Sequence, residues 1–408
     1  MTETLPATWY RGAAQYDRER RGAFGATWLY AAHTAELVSP GSYVARECAG
    51  YPILIARHDD QSLQGFHNVC PHRAGPLVHD GTGTATSFVC RYHGWVFETD
   101  GALRSARDFG APGEEPDCSL FALRTEVWRG LVFVNVDGAA PPLADALGGF
   151  AEQTKGFDFE SFVPAGEWHH DLACNWKTYA ENYLEGYHIP IVHRELARSI
   201  EVRSYEVIAR DDWCLHRAPA KDGTVLDGRW LWRWPNLALN LYRDSMNLEQ
   251  FVPMGPDVTR IAYRYFSRDG TLDEEVSRLS KLLLMEDAQI CEAVQRNLDA
   301  GVYDRGVLSP RRAGRRALPA PPSCLGITGV HRRAGEPDLG APGRPDVESL
   351  VPRDEVGAQP LRCADDLDGV EPREELFEED AQLESREVCT QAEVRAVQPE
   401  GDVVVRAA

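Results

Sequence analysis

Positive charge is scarce in this 408-residue chain: 43 Lys and Arg stand against 63 Asp and Glu, for a net charge of −20. So acidic a balance argues against nucleic acid as a partner, because phosphate backbones are bound through basic surfaces. No apolar run approaches the roughly 20 residues of a membrane-spanning helix, and Met1-Thr2-Glu3-Thr4-Leu5-Pro6 has no secretory pattern. The expectation is a cytoplasmic protein with no membrane segment. Also missing is a Gly-x-Gly-x-x-Gly run after a strand, so no flavin or nicotinamide site is legible. The ten Cys are scattered, and only two stand beside a His at ligand spacing; the others read as reduced core residues rather than a disulfide set. With 43% hydrophobic residues, the chain can bury a large core, in two structural units.

What is present is more specific. Cys70-Pro71-His72-Arg73-Ala74-Gly75 and Cys90-Arg91-Tyr92-His93-Gly94-Trp95 each offer one thiolate and one imidazole from a tight loop, with Pro71 and Gly94 shaping the turns. Two Cys and two His are the ligand set of a Rieske [2Fe-2S] cluster, in which imidazoles on one iron raise the reduction potential. Tetrahedral zinc is the competing reading. Zinc pairs more often run Cys-x-x-Cys with His-x-x-x-His, which these loops do not.

An electron carrier of this kind needs roughly 100 residues, so the remaining chain needs its own explanation. Residues 175–193 read as an amphipathic helix ending near Pro190, with Glu181, Glu185 and His188 on one face and His193 just past the break. Two such His and a distant carboxylate would make the facial triad of a non-haem Fe(II) oxygenase. Asp287 is the best-placed carboxylate, in a helix whose apolar positions 283, 284, 290, 291 and 294 are expected to face a core.

At this point the chain resembles the α-subunit of a Rieske non-haem iron oxygenase, of the aromatic-ring-hydroxylating family and its choline monooxygenase-like branch. The likeness runs from Pro6-Ala7-Thr8-Trp9-Tyr10 through residues 66–74, the second cluster loop, Asn175-Trp176-Lys177, residues 183–188, Trp234-Pro235-Asn236 and Glu286-Asp287 to residues 306–310. It implies that Cys70, His72, Cys90 and His93 hold the cluster and that His188, His193 and Asp287 hold a mononuclear Fe(II). It also implies that Glu185 bridges a cluster His of one subunit to an iron His of its neighbour, with Glu181 as the fallback. Asn182, Tyr183 and Tyr187 are expected to shape the pocket, Asn182 beside Glu185 in the catalytic group. A reductase or ferredoxin donor, O2, a small-molecule substrate and a homotrimer follow from the same resemblance.

The expected fold is α+β: an antiparallel β Rieske domain and a helix-grip catalytic domain, an antiparallel sheet around a long helix. Residues 1–40 would form an N-terminal segment packing with the catalytic domain, 41–140 the Rieske domain and 141–310 the catalytic domain. Strands are expected at 52–57, 130–136, 236–242, 248–254 and 259–266, a helix-rich stretch up to about 200, and a long helix at 272–299. The choline-like resemblance favours a quaternary or N-methyl amine such as choline or a betaine as substrate. Trp232, Trp234, Tyr242, Phe251, Tyr263 and Phe266 are candidates for cation–π contact. The alternatives are an aromatic ring-hydroxylating dioxygenase or O-demethylase α-subunit, and an electron carrier with an inactive catalytic domain. From Arg311 to Arg333 there are six Arg and no acid, and then the balance turns acidic. This stretch reads as a disordered tail; a shift of reading frame near residue 312 would also account for the break from the family pattern.

Overall fold

Alternating β-branched and aromatic residues between Trp28 and Asn135 form a seven-stranded antiparallel sheet. In spatial order its strands are Trp28–His33, Leu131–Asn135, Ala122–Trp128, Leu63–His67, Tyr51–Arg57, Ser42–Cys48 and Gly81–Thr84. The first of these lies ahead of the expected boundary at 41. A three-stranded sheet of Phe88–Val89, Val96–Phe97 and Leu103–Ser105 stands beside it. The protein is seen here in a computed structural model describing residues 2–308, apart from 112, 113, 115, 220 and 222–228. The charge reversal, disorder and reading-frame expectations for the tail fall outside the described residues.

The second seven-stranded sheet is also antiparallel. Its order is Val163–Leu172, Thr259–Ser267, Ser245–Pro253, Leu237–Leu241, Arg229–Arg233, Trp213–Arg217 and Glu206–Ala209. Val163–Leu172 occupies a stretch expected to be helical. Only its last residue is buried, so the alternation that marks a half-buried strand is weak there. The long helix Glu274–Asp299 starts where the Asp273 carboxylate accepts the Val276 backbone N–H, a standard cap. Its buried residues, among them Val276, Leu279, Leu284, Asp287, Ala288, Cys291, Gln295 and Leu298, recur mostly at three- and four-residue steps, as one face of a helix does. Ile290 and Val294 lie off that face and are exposed, contrary to expectation. Asp287 lies on it.

The helix Trp176–Glu185 packs between the long helix and strand Ser245–Pro253. Asn175 caps it by accepting the Lys177 N–H, and Gln295 accepts the Asn175 N–H from the long helix. The helix ends earlier than expected, at Gly186 in the left-handed region with φ 62°. Pro190 then falls in the first turn of a separate short helix, Ile189–Val192, where its missing N–H costs nothing. The N-terminal segment reaches this region: Trp176 Nε1 and Lys177 Nζ both donate to buried Glu19 at 2.8 Å. One continuous apolar core joins residues of both large sheets to the helices. No helix among the described residues is long and apolar enough to cross a membrane.

Candidate metal centres and the cavity beside them

The two cluster loops are built alike. Cys70 N donates to Gly75 O and Ala74 N to Cys70 O, at 2.8 and 2.9 Å; Cys90 N donates to Trp95 O and Gly94 N to Cys90 O, at 2.9 and 2.8 Å. The Cys70 and Cys90 thiols are buried against each other, and burial, with the facing Cys90 thiol adding to it, pushes Cys70 up to about 11. A buried thiol pair of this kind ionises when a metal supplies the counter-charge. The His72 and His93 rings lie 4.6 Å apart, His72 stacked on Trp95. His93 Nδ1 is buried with no hydrogen-bond partner. At Gly75 an added Cβ would come within 2.9 Å of Cys90 Sγ, so only glycine leaves the thiolate its place. Two thiols, two imidazoles and an orphaned ring nitrogen fit a [2Fe-2S] centre.

The second centre joins three elements. His188 stands in the turn after Gly186, His193 follows the short helix and Asp287 comes from the long helix. Expected to share a helix face with Glu181 and Glu185, His188 lies past that helix's end. Its Nε2 is 3.1 Å from His193 Nε2, and Asp287 Oδ1 is 3.5 and 3.0 Å from the two nitrogens. One ligand atom from each of the three residues lies within 4.8 Å of the others, and Asp287 Oδ1 is buried without a hydrogen-bond partner. The outer nitrogens are tied to carboxylates: His188 Nδ1 to Glu185 Oε1 at 2.5 Å and His193 Nδ1 to Glu286 Oε2 at 2.7 Å. An Nδ1–H held in this way directs the lone pair of Nε2 inward, as a metal site needs. Burial alone would lower His193, but Asp287 and Glu286 reverse the effect and raise it. Two imidazoles and one carboxylate, with room beside them, fit a facial-triad iron.

That room is a cavity of about 120 Å³ lined by His188 and His193 and walled by the rings of Tyr183, Tyr205, Trp230, Tyr242 and Tyr263. Of the six expected cation–π residues, Tyr242 and Tyr263 line it. Trp232, Trp234, Phe251 and Phe266 are core residues outside its lining. Tyr187 is exposed. Asn182 does not line the cavity either, although its Nδ2 is buried without a partner. Glu181 instead accepts the Tyr10 hydroxyl at 2.7 Å. Sequence reasoning missed Glu286, although it precedes Asp287 in the chain. It also missed Glu249, buried in the cavity wall.

A Rieske [2Fe-2S] domain model matches residues 27–114, and a ring hydroxylating alpha subunit catalytic domain model matches 159–213 and 216–315. The chain is 30% identical over 322 residues to the carnitine monooxygenase oxygenase subunit of Acinetobacter baumannii, across 74% of this chain and 86% of that protein. The chain belongs to the Rieske oxygenase α-subunits. This oxygenase is also 28% identical over 326 residues to the chloroplastic choline monooxygenase of Spinacia oleracea, across 74% and 73% of the two chains. Among solved structures, it matches a quaternary ammonium Rieske monooxygenase with a TM-score of 0.70 at 28% identity, over 78% of this chain and 92% of that one. It shares its fold with naphthalene 1,2-dioxygenase, at a TM-score of 0.63 and 20% identity. Its cofactors are accordingly a Rieske cluster and a mononuclear non-haem iron, and the zinc reading of the Cys/His loops gives way.

Proposed function

We propose that this Rieske oxygenase hydroxylates or demethylates a small quaternary or N-methyl amine. In this reading the mononuclear iron is held by His188, His193 and Asp287, and the cluster by Cys70, His72, Cys90 and His93. The observation that carries it is the convergence of two Nε2 atoms and the unpartnered Asp287 oxygen beside an aromatic-walled cavity. When bound there, Fe(II) supplies open positions at which O2 meets substrate. The aromatic walls exclude water and present ring faces to a methylated cation. A monooxygenation consumes one O2, two electrons and two protons, placing one oxygen atom in the product and the other in water. With no dinucleotide motif in the chain, the electrons come from a separate reductase or ferredoxin.

Glu185 is the proposed link to the cluster. It is 26% exposed, accepts the His188 Nδ1–H at Oε1 and the Tyr187 backbone N–H at Oε2, and its exposed edge is where a cluster imidazole of the next subunit in a homotrimer would meet it. The cluster loops pack in a small core of their own that includes no residue of the iron-bearing helices, which favours transfer between subunits over transfer within one. Relatives named for carnitine and choline support the amine class.

The test is iron and acid-labile sulfide on anaerobically purified protein, with its EPR spectrum, followed by amine-dependent O2 uptake using a surrogate reductase and labelled O2. The expected result is one iron per chain beyond the two of the cluster, a Rieske signal, and one labelled oxygen in an amine product. Turnover confined to aromatic rings with both atoms incorporated would sink the reading.

A further inference from the structure

The polar groups of the cavity wall are one-sided. Among the described residues lining it there is a carboxylate, Glu249, and no Lys or Arg. Glu249 lies on strand Ser245–Pro253, every residue of which is buried, and is itself 3% exposed. The Tyr179 hydroxyl donates to its Oε1 at 2.6 Å, and Tyr263 and Asn240 also hydrogen-bond to it. The nearby cation Arg264 belongs to the other face of the sheet. Register pairs Glu249 with Tyr263, and Arg264, one residue on, turns away to donate to Gln250. Glu249 is thus a buried acid facing a cavity with hydroxyl partners but no cationic side chain in the lining.

Resting on the amine reading above, we infer that Glu249 selects a substrate that carries a fixed positive charge and no carboxylate, a methylated ammonium ion of the amino-alcohol kind rather than a betaine. A buried charge needs a counter-charge, and a quaternary nitrogen cannot shed its own by losing a proton. Glu249 supplies that counter-charge, and the rings of Tyr183, Trp230, Tyr242 and Tyr263 supply the faces that receive the methyl groups. The Trp230 indole is fixed for this by its Nε1–H, which donates to the Tyr242 hydroxyl at 3.3 Å. A zwitterion would bring a second carboxylate into the same low-dielectric space, where no Lys or Arg of the lining receives it, Glu249 repels it, and the charge of an iron at His188 and His193 would already be met in part by Asp287. Burial pushes Glu249 up to about 7 although the hydrogen bonds from Tyr179, Tyr263 and Asn240 favour its ionised form, and an arriving cation adds the counter-charge that those bonds do not supply.

The experiment is calorimetric titration of the reduced, anaerobic holoenzyme with three probes of similar size: choline, glycine betaine and 3,3-dimethylbutan-1-ol, in which carbon replaces the cationic nitrogen. Choline is expected to bind at least about tenfold more tightly than either of the others. In Glu249→Gln its affinity is expected to fall to that of the neutral alcohol, with the iron content and Rieske spectrum retained, and Glu249→Asp is expected to recover part of the preference. Glycine betaine binding as tightly as choline to the wild type would overturn the inference while leaving the amine reading standing. So would an unchanged ratio of choline to the alcohol in Glu249→Gln. If neither choline nor betaine binds and a neutral aromatic does, the amine reading falls and the inference with it. The wild-type ratios decide the matter even if a variant loses iron.

Discussion

His188 and His193 each turn one nitrogen out to a carboxylate and the other inward, and that division of labour makes specific residues testable. Glu286→Ala removes the acceptor of His193 Nδ1–H and is expected to weaken iron binding by about 10- to 100-fold, read by titrating iron into the stripped protein. Glu185→Ala is expected to leave both metals in place and abolish turnover. Only a combined metal assay and steady-state measurement separates that outcome from simple loss of iron. Glu249 carries a pH signature as well. Burial raises it from 4.5 to about 7, so the fold favours its neutral form. Its stabilising contribution is complete below about pH 4.5 and is lost as pH rises through 7. In metal-free protein the urea midpoint should fall across that window, and Glu249→Gln should flatten the fall.

At the scale of elements, the turn between Glu185 and His188 is the critical joint. Gly186 sits at φ 62°, and a Cβ there would come within 2.7 Å of the Tyr205 ring. Gly186→Ala is expected to cost about 1–2 kcal/mol from the left-handed backbone alone. The clash would also displace His188, so a lower melting temperature should be accompanied by reduced mononuclear iron occupancy and an unaltered Rieske spectrum. The start of the same helix depends on a buried ion pair, Lys177 Nζ to Glu19 at 2.7 Å with both side chains fully buried. Lys177→Met strands the Glu19 charge, and the expected loss is about 3–5 kcal/mol in chemical denaturation. A much smaller loss would mean that Glu19 takes up a proton and is held by Trp176 and Gln15.

For the whole molecule, the consequence of the proposed architecture is that one active unit draws its cluster from one chain and its iron from the next. Co-expression of Cys70→Ala, which lacks a cluster, with Glu185→Ala, which lacks the link, tests it. Each variant alone is expected to be inactive, whereas random equimolar trimers restore about one quarter of the interfaces. No recovery on mixing would mean that electrons pass within a chain. The two sheets themselves are held as one body: the shared core runs between them, and Gln250 Nε2 donates to the Tyr30 carbonyl across the junction at 3.0 Å.

The amino-acid sequence by itself determined the chemistry that depends on residue type and short spacing. Cys70, His72, Cys90 and His93 could be proposed as cluster ligands because each loop brings a Cys and a His together within six residues, and His188, His193 and Asp287 as iron ligands because the family pattern surrounds them. The long helix and most strands were legible from periodicity. Its limits were also local: Ile290 and Val294 are apolar yet exposed, and Gly186, rather than Pro190, ends the helix that precedes His188. Only the tertiary structure decided which aromatics meet the cavity, because alternation along a strand does not say which face lies against a helix and which against empty space. Only it brought Glu286 to His193 and set Glu249 among rings without a cation, since those contacts join residues far apart in the chain.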